Sequence, residues 1–163
     1  KIIKVEENDV NGGSFRLFCS KQKGKSINYK ENTGLKYIRK FVYDVNHIRE
    51  NFLNFYKKEK KKGKTFMIYG ASTKGNTVLQ YYGLNSSKIK FASDRSPEKW
   101  GKYTIGTGIK IISESEARKR KPDYFLVFPY GFLDEFKKRE KNWLKKGGKF
   151  ITLYPKFSVI GKN

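Results

Sequence analysis

Two short runs in this chain, Phe66-Met67-Ile68-Tyr69 and Tyr124-Phe125-Leu126-Val127-Phe128, are apolar or aromatic at every position. A strand with one wet face alternates apolar and polar side chains. A strand apolar throughout needs cover on both faces, which is the situation of a parallel strand between two layers of helices. Strand and helix patterns alternate from Lys64 onward, with strands at 65–69, 89–93, 110–112, 123–128 and 149–153 and helices at 75–82, 114–120 and 132–146. At that spacing parallel strands are joined by crossovers. The expected class is therefore α/β, a mostly parallel sheet with helices on both faces.

The first third of the chain reads differently. Strands at 2–6 and 14–19 flank an Asn11-Gly12-Gly13 turn, and Phe15, Leu17 and Cys19 fall on one side of the second strand, as in a half-buried strand. Residues 21–33 are polar and read as a linker. A long amphipathic helix follows, with Leu35, Ile38, Phe41/Val42, Val45, Ile48, Phe52 and Phe55 recurring at three- and four-residue steps. His47 lies among these apolar positions, and the helix ends in a lysine run before Gly63, where cations suit a helix C-terminus. The expected organisation is a strand pair at 1–20, a linker at 21–33 and an α/β domain at 34–163.

With 163 residues, 37% of them hydrophobic, the chain has enough material for one packed domain but not comfortably for two. No apolar run reaches the roughly 20 residues of a membrane span, and no secretory leader is present, so a soluble cytoplasmic protein without a membrane partner is expected. The single cysteine, Cys19, excludes an internal disulfide and a multi-cysteine zinc site. Because the chain starts at Lys1 and its one methionine is Met67, it is expected to be a piece of a longer protein.

The formal charge of +22 invites a nucleic-acid partner, since lysines facing phosphates release counterions. Yet lysine supplies 30 of the 37 basic residues and arginine only 7, whereas base-edge readout and bidentate phosphate clamps favour arginine. The charge is spread over helix faces and loops, so solvated surface is the expected role and nucleic acid is not the expected partner.

The chemistry concentrates after the first apolar run, in Gly70-Ala71-Ser72-Thr73-Lys74-Gly75-Asn76-Thr77. Read as a P-loop, it has both glycines and Thr77 in place, but Asn76 stands where the lysine belongs. As a dinucleotide fingerprint it has Ser72 for the middle glycine, although it follows a strand, opens a helix, and has Asp94 at the end of the next strand, where an acid can bind a ribose diol. A nucleophile elbow at Ser72 would need glycine at position 74, which is Lys74, and the one histidine is on the long helix. The loop offers backbone amides, two hydroxyls and a cation at a helix N-terminus, which suits a phosphate or a sugar. Alternatively, its glycines only make a tight turn. Asp94 and Arg95, and Pro129 and Tyr130, follow strands at the end where open α/β sheets bind ligands. Tyr103, Thr104, Thr107 and Trp100 belong to a long loop. Edge-of-core packing is the alternative for Tyr103, Tyr130 and Trp100, and capping of the next turn for Asp94.

Four segments, "YGASTKGNTVLQYYGL", "FASDRSPEKWGKYTIGTGIKIIS", "KPDYFLVFPYGFLDEFKKRE" and "LKKGGKFITLYPKFSVI", together resemble the C-terminal domain of the sugar C-methyltransferases. The resemblance covers roughly residues 8–160. "NGGSFRLF" is similar to the strand that closes the family's preceding methyltransferase domain, with Asn11 where the family often has histidine. The resemblance implies a Rossmann-like domain that helps hold a nucleotide-linked deoxysugar. It also implies a preceding domain of the same polypeptide that binds S-adenosylmethionine and performs the transfer, and a zinc-binding domain before that. The expected substrate-binding residues here are Gly70, Ala71, Ser72, Thr73, Lys74, Gly75, Asn76, Asp94, Arg95, Tyr103, Pro129 and Tyr130, with no catalytic or metal-ligating residue and no activity from the chain alone. The rivals are a free-standing nucleotide or NAD(P)-binding module and a basic nucleic-acid-binding protein.

Overall fold

A computed structural model describes residues 1–10, 13–22, 24–30 and 33–161. Asn11 and Gly12 of the expected turn lie outside the described residues. The chain divides into two compact units, Lys1–Asp44 and Val45–Asn163.

In the first unit, β1 (Ile2–Asn8) pairs antiparallel with β2 (Ser14–Cys19), with Glu6 opposite Arg16 and Asn8 opposite Ser14. Strand β1 runs two residues further than expected. The burial pattern is also the reverse of the one expected: Phe15 and Leu17 are exposed and Phe18 is half-buried. The physical reason is that a two-stranded ribbon has no second layer of its own to dry either face. Ile27 donates its backbone N–H to the carbonyl of Ile2 at 3.1 Å, so part of the polar segment runs alongside β1.

Helix α1 (Leu35–Lys61) has the bounds its periodicity predicts and begins in the first unit. Its apolar stripe is not core along its whole length: Leu35, Ile38, Phe41 and Val42 are each at least half exposed, while Phe52 is fully buried. His47, expected to be a partly buried or surface residue among the apolar positions, is exposed.

The second unit is built on a six-stranded sheet in the order β5-β4-β3-β6-β7-β8. Its strands are β3 (Phe66–Tyr69), β4 (Phe91–Asp94), β5 (Lys110–Ser113), β6 (Tyr124–Val127), β7 (Lys149–Thr152) and β8 (Ser158–Ile160). All neighbours are parallel except β7 and β8. Strand β8 has no counterpart in the sequence reading, because three residues carry too little periodicity to be seen.

The doubly buried runs behave as their composition requires. Phe66, Ile68, Tyr124, Leu126 and Ile151 point into one core, with Phe52 and Tyr56 of α1 and Leu79 of α2 (Thr73–Tyr81). Their alternates Met67, Tyr69, Phe125, Val127 and Phe150 point into the other. That second core is closed by Ala117 of α3 (Glu114–Arg120), Phe136 of α4 (Leu133–Arg139) and Leu144 of α5 (Lys141–Lys145). Each fully buried Phe, Leu or Ile in these layers stabilises the fold by roughly 1.5–3 kcal/mol.

The single helix expected at 132–146 is instead a 3-10 turn at Tyr130–Phe132 followed by α4 and α5, broken at Glu140. Glu140 leaves the helical conformation (φ −100°, ψ 22°) with its carboxylate turned into the protein, only 2% exposed. At the N-terminal ends of the strands, Asp123 accepts hydrogen bonds from the Thr65 amide (2.9 Å), the Thr65 hydroxyl (2.8 Å) and Lys64 Nζ (2.9 Å), fastening β3 to β6. Strands β3, β4 and β5 step outward to one side, and β6, β7 and β8 to the other. The reversal lies between β3 and β6, and a crevice forms beyond the C-terminal ends of the strands at such a point.

Candidate functional site

The loop after β3 is shaped by its two glycines. Gly70 has φ 87° and donates its N–H to the carbonyl of Ser93 (2.9 Å), continuing the β3–β4 ladder by one bond. A Cβ on Gly70 would lie 3.0 Å from Pro129 Cγ, so the loop sits flush against the turn that follows β6. Ser72, in an extended conformation, caps α2: its Oγ accepts the Gly75 N–H at 3.1 Å. Gly75 is buried, and a Cβ there would lie 2.7 Å from Phe128 Cδ2. Both glycines are thus required for close approach within the protein, the tight-turn alternative of the sequence reading. Helix α2 starts at Thr73 rather than 75 because Ser72 supplies the cap. Thr73 and Lys74 are exposed beside it, and Asn76 is half-buried.

Asp94, at the end of β4, closes the other side of the loop. Its Oδ2 accepts the Ala71 N–H (3.0 Å) and Lys99 Nζ (2.9 Å), while its Oδ1 accepts the Ser96 N–H (2.9 Å) and so caps the next turn. Lys99 also donates to the Ala71 carbonyl at 3.0 Å, and Trp100 Nε1 to the Asp94 carbonyl at 2.8 Å. Pro129 packs on Gly70, and Tyr130 follows it, half-buried, with its ring centroid 4.9 Å from that of Tyr154.

The fold thus gathers Gly70 to Asn76, Asp94, Pro129 and Tyr130 at the strand reversal. Of the other expected residues, Arg95 directly follows Asp94 and Tyr103 lies on the long loop. Arg95 pairs with Glu135 of α4 at 3.2 Å. Tyr103, 61% exposed, bridges to Lys110 of the edge strand β5, two strands from β3. Thr104 and Thr107 are buried with their hydroxyls 2.7 Å apart, and Thr104 Oγ1 accepts the Ile109 N–H, so they fold their own loop.

The sequence can now be set beside known proteins. The C-methyltransferase C-terminal domain family matches residues 9–155, which includes every residue of this loop cluster. The chain belongs to that family. It is also similar to the C-methyltransferase NovU of Streptomyces niveus, 29% identical over 172 aligned positions that cover 98% of this chain and 41% of NovU. The chain thus spans about two fifths of that relative's length.

In this C-methyltransferase C-terminal domain, Asp94 is already engaged by its own loop and is poorly placed to bind a ribose diol. A carboxylate has about four acceptor positions. Asp94 spends three of them on Ala71, Ser96 and Lys99, leaving too few for both hydroxyls of a diol. Among the described residues, no group of three His, Cys, Asp or Glu side chains is arranged to hold a metal, and no helix is long and apolar enough to cross a membrane.

Three features escaped the sequence reading. Lys99 is one of 30 lysines and nothing marks it out. Tyr154 has a signal in hindsight, being an aromatic just past β7 as Tyr130 is just past β6. The third is an ionic network around the buried Glu140 and Tyr69. Tyr69 OH donates to Glu140 Oε1 (2.7 Å), Arg118 grips both Glu140 oxygens, and Arg139 Nε donates to Tyr69 OH (3.1 Å). Glu114 joins Arg118 and Arg139. Burial and the neighbouring Glu140 carboxylate push the Tyr69 hydroxyl far above its ordinary pKa, so it stays a neutral donor. An acid in mid-helix, Glu140, was the visible sign.

Proposed function

We propose that this is a Rossmann-like substrate-holding domain, part of an S-adenosylmethionine-dependent sugar C-methyltransferase, and that it positions a nucleotide-linked deoxysugar at the strand reversal. One observation carries the reading. The capped loop Gly70 to Asn76 and the Pro129-Tyr130 turn meet at the boundary between β3 and β6, with only 3.0 Å between a Cβ on Gly70 and Pro129. That is where an open α/β sheet presents a ligand site.

The chemistry divides in two. S-adenosylmethionine, bound by a preceding part of a longer polypeptide, supplies the methyl group for a carbon beside a keto group. Residues of this chain bind, orient and exclude water. The amides at the start of α2, with the Thr73 hydroxyl and the Lys74 ammonium, suit the diphosphate or the sugar hydroxyls. Holding the acceptor carbon in line lowers the barrier without any group here taking a proton.

The engaged Asp94 weighs against the free-standing NAD(P)-binding alternative. Calorimetric titration separates the two. The chain is expected to bind a nucleoside diphosphate deoxysugar, to lose that binding in Ser72→Arg, and to turn over no substrate alone. Tight NAD(P) binding that weakens in Ser72→Arg and Asp94→Ala would instead favour the alternative, and turnover of a keto-deoxysugar nucleotide by these 163 residues would overturn the division of labour.

A further inference from the structure

Strands β6 and β7 are parallel neighbours in register, Val127 beside Thr152. Each is followed within three residues by a tyrosine that belongs to neither apolar core: Tyr130 and Tyr154. Their ring centroids are 4.9 Å apart, inclined at 38°. Tyr154 is 48% exposed, a large ring in water one strand beyond β6, and reaches the reversal through its contact with Tyr130. The turn that carries Tyr130 is fixed from two sides. Its N–H donates to the Phe128 carbonyl at 2.9 Å, and Pro129 lies against Gly70. The reversal is therefore bordered by two unlike walls. Across β3 are helix-end amides, hydroxyls and cations, and across β6 and β7 an aromatic step.

A ligand that uses both walls has an anionic or hydroxylated middle and a flat, apolar end. We infer that Tyr130 and Tyr154 form the stacking platform for the nucleobase of the sugar nucleotide, its diphosphate lying toward Gly70 to Asn76. This rests on the substrate-holding reading above and adds the part of the substrate that each wall takes. Every base has a π-face, so such a platform tolerates different bases.

The test is titration of the whole chain with thymidine diphosphate and, separately, with inorganic pyrophosphate, which lacks the base. The variants are Tyr154→Ala, Tyr154→Phe and Ser72→Arg, each checked for folding by circular dichroism. Thymidine diphosphate is expected to bind tighter than pyrophosphate. Tyr154→Ala should weaken thymidine diphosphate by about 5- to 150-fold, the range for loss of one base–aromatic stack, and leave pyrophosphate unchanged. Tyr154→Phe, which keeps the ring, should retain the wild-type preference. Equal binding of the two probes, or a preference that survives Tyr154→Ala, would overturn the platform. A platform that fails alone leaves pyrophosphate binding intact and sensitive to Ser72→Arg, whereas binding of neither probe would overturn the substrate-holding reading with it.

Discussion

Lys99 Nζ lies 2.9 Å from Asp94 Oδ2 and 3.0 Å from the carbonyl oxygen of Ala71, so one ammonium group joins the end of β4 to the loop after β3. The Ala71 amide closes the same circuit by donating to Asp94. An acid that in a dinucleotide site would face the ligand here faces its own loop. The loop is held from its floor by Pro129 and Phe128, and from its side by Asp94 and Lys99.

Replacing Lys99 by methionine removes that side support while keeping most of the stem. The pair is half open to solvent on the lysine side, 45% exposed, so global stability should fall by no more than about 1 kcal/mol. The local effect should be larger. Amide hydrogen exchange across residues 70–76 is expected to accelerate while the urea midpoint barely moves. Unchanged exchange would mean that Asp94 and the glycine packing hold the loop without Lys99.

The sheet was legible because two runs, Phe66–Tyr69 and 124–128, leave no alternative to cover on both faces, and both do feed two cores. The turn after β3 was legible at Gly70, Ser72 and Gly75, whose residue types are those a tight strand-to-helix turn with a capped helix requires. What stayed hidden depends on long-range partners. Glu140 breaks a helix that periodicity alone would continue, because Tyr69 and Arg118 compensate its buried charge from elements 71 and 22 residues away. That Tyr103 bridges to Lys110 of β5, two strands from β3, is set by sheet order, which local patterns do not encode.

Glu140 should make the fold sensitive to loss of its partner. Arg118→Met leaves a carboxylate that is 2% exposed without its two-pronged donor. Removing one partner of a buried pair costs roughly 3–5 kcal/mol, and about 2 kcal/mol is expected here because Arg118 is itself 40% exposed. Adding Glu140→Leu to Arg118→Met should recover part of that loss, since an apolar pair leaves no unpaired charge. Urea denaturation of the two singles and the double measures this, and a strictly additive cycle would contradict it.

Acid should weaken the fastening of β3 to β6 in a defined direction. Burial works to raise the Asp123 carboxyl, but the Lys64 ammonium and the Thr65 amide and hydroxyl outweigh it, so its pKa lies below the ordinary value of 3.8. A carboxyl lowered on folding binds fewer protons in the folded state. Its contribution is therefore present above about pH 4 and lost as pH falls through the lower folded-state value. Asp123→Asn should lower stability at neutral pH and flatten the acid limb below pH 4. Thermal melts of wild type and variant between about pH 2 and 6 check both parts, and parallel curves would exclude Asp123 as a source of that limb.

Helix α1 offers the sharpest contrast between apolar sequence and actual core. Phe41 and Phe52 occupy the same three- and four-residue stripe, yet Phe41 is 66% exposed and Phe52 is fully buried among Tyr56, Tyr82 and Phe157. Truncating a buried phenylalanine to alanine removes its transfer free energy and leaves a cavity, about 3–5 kcal/mol. Phe52→Ala should therefore destabilise the second unit by that amount, whereas Phe41→Gln should change its stability by less than about 0.5 kcal/mol, the usual range for a surface substitution. Denaturation followed by the fluorescence of Trp143, which packs on Phe125 and Phe150 in the opposite core, reads the second unit directly. A loss of several kcal/mol in Phe41→Gln would show that the exposed half of the stripe is needed to fold the sheet, against the burial seen here.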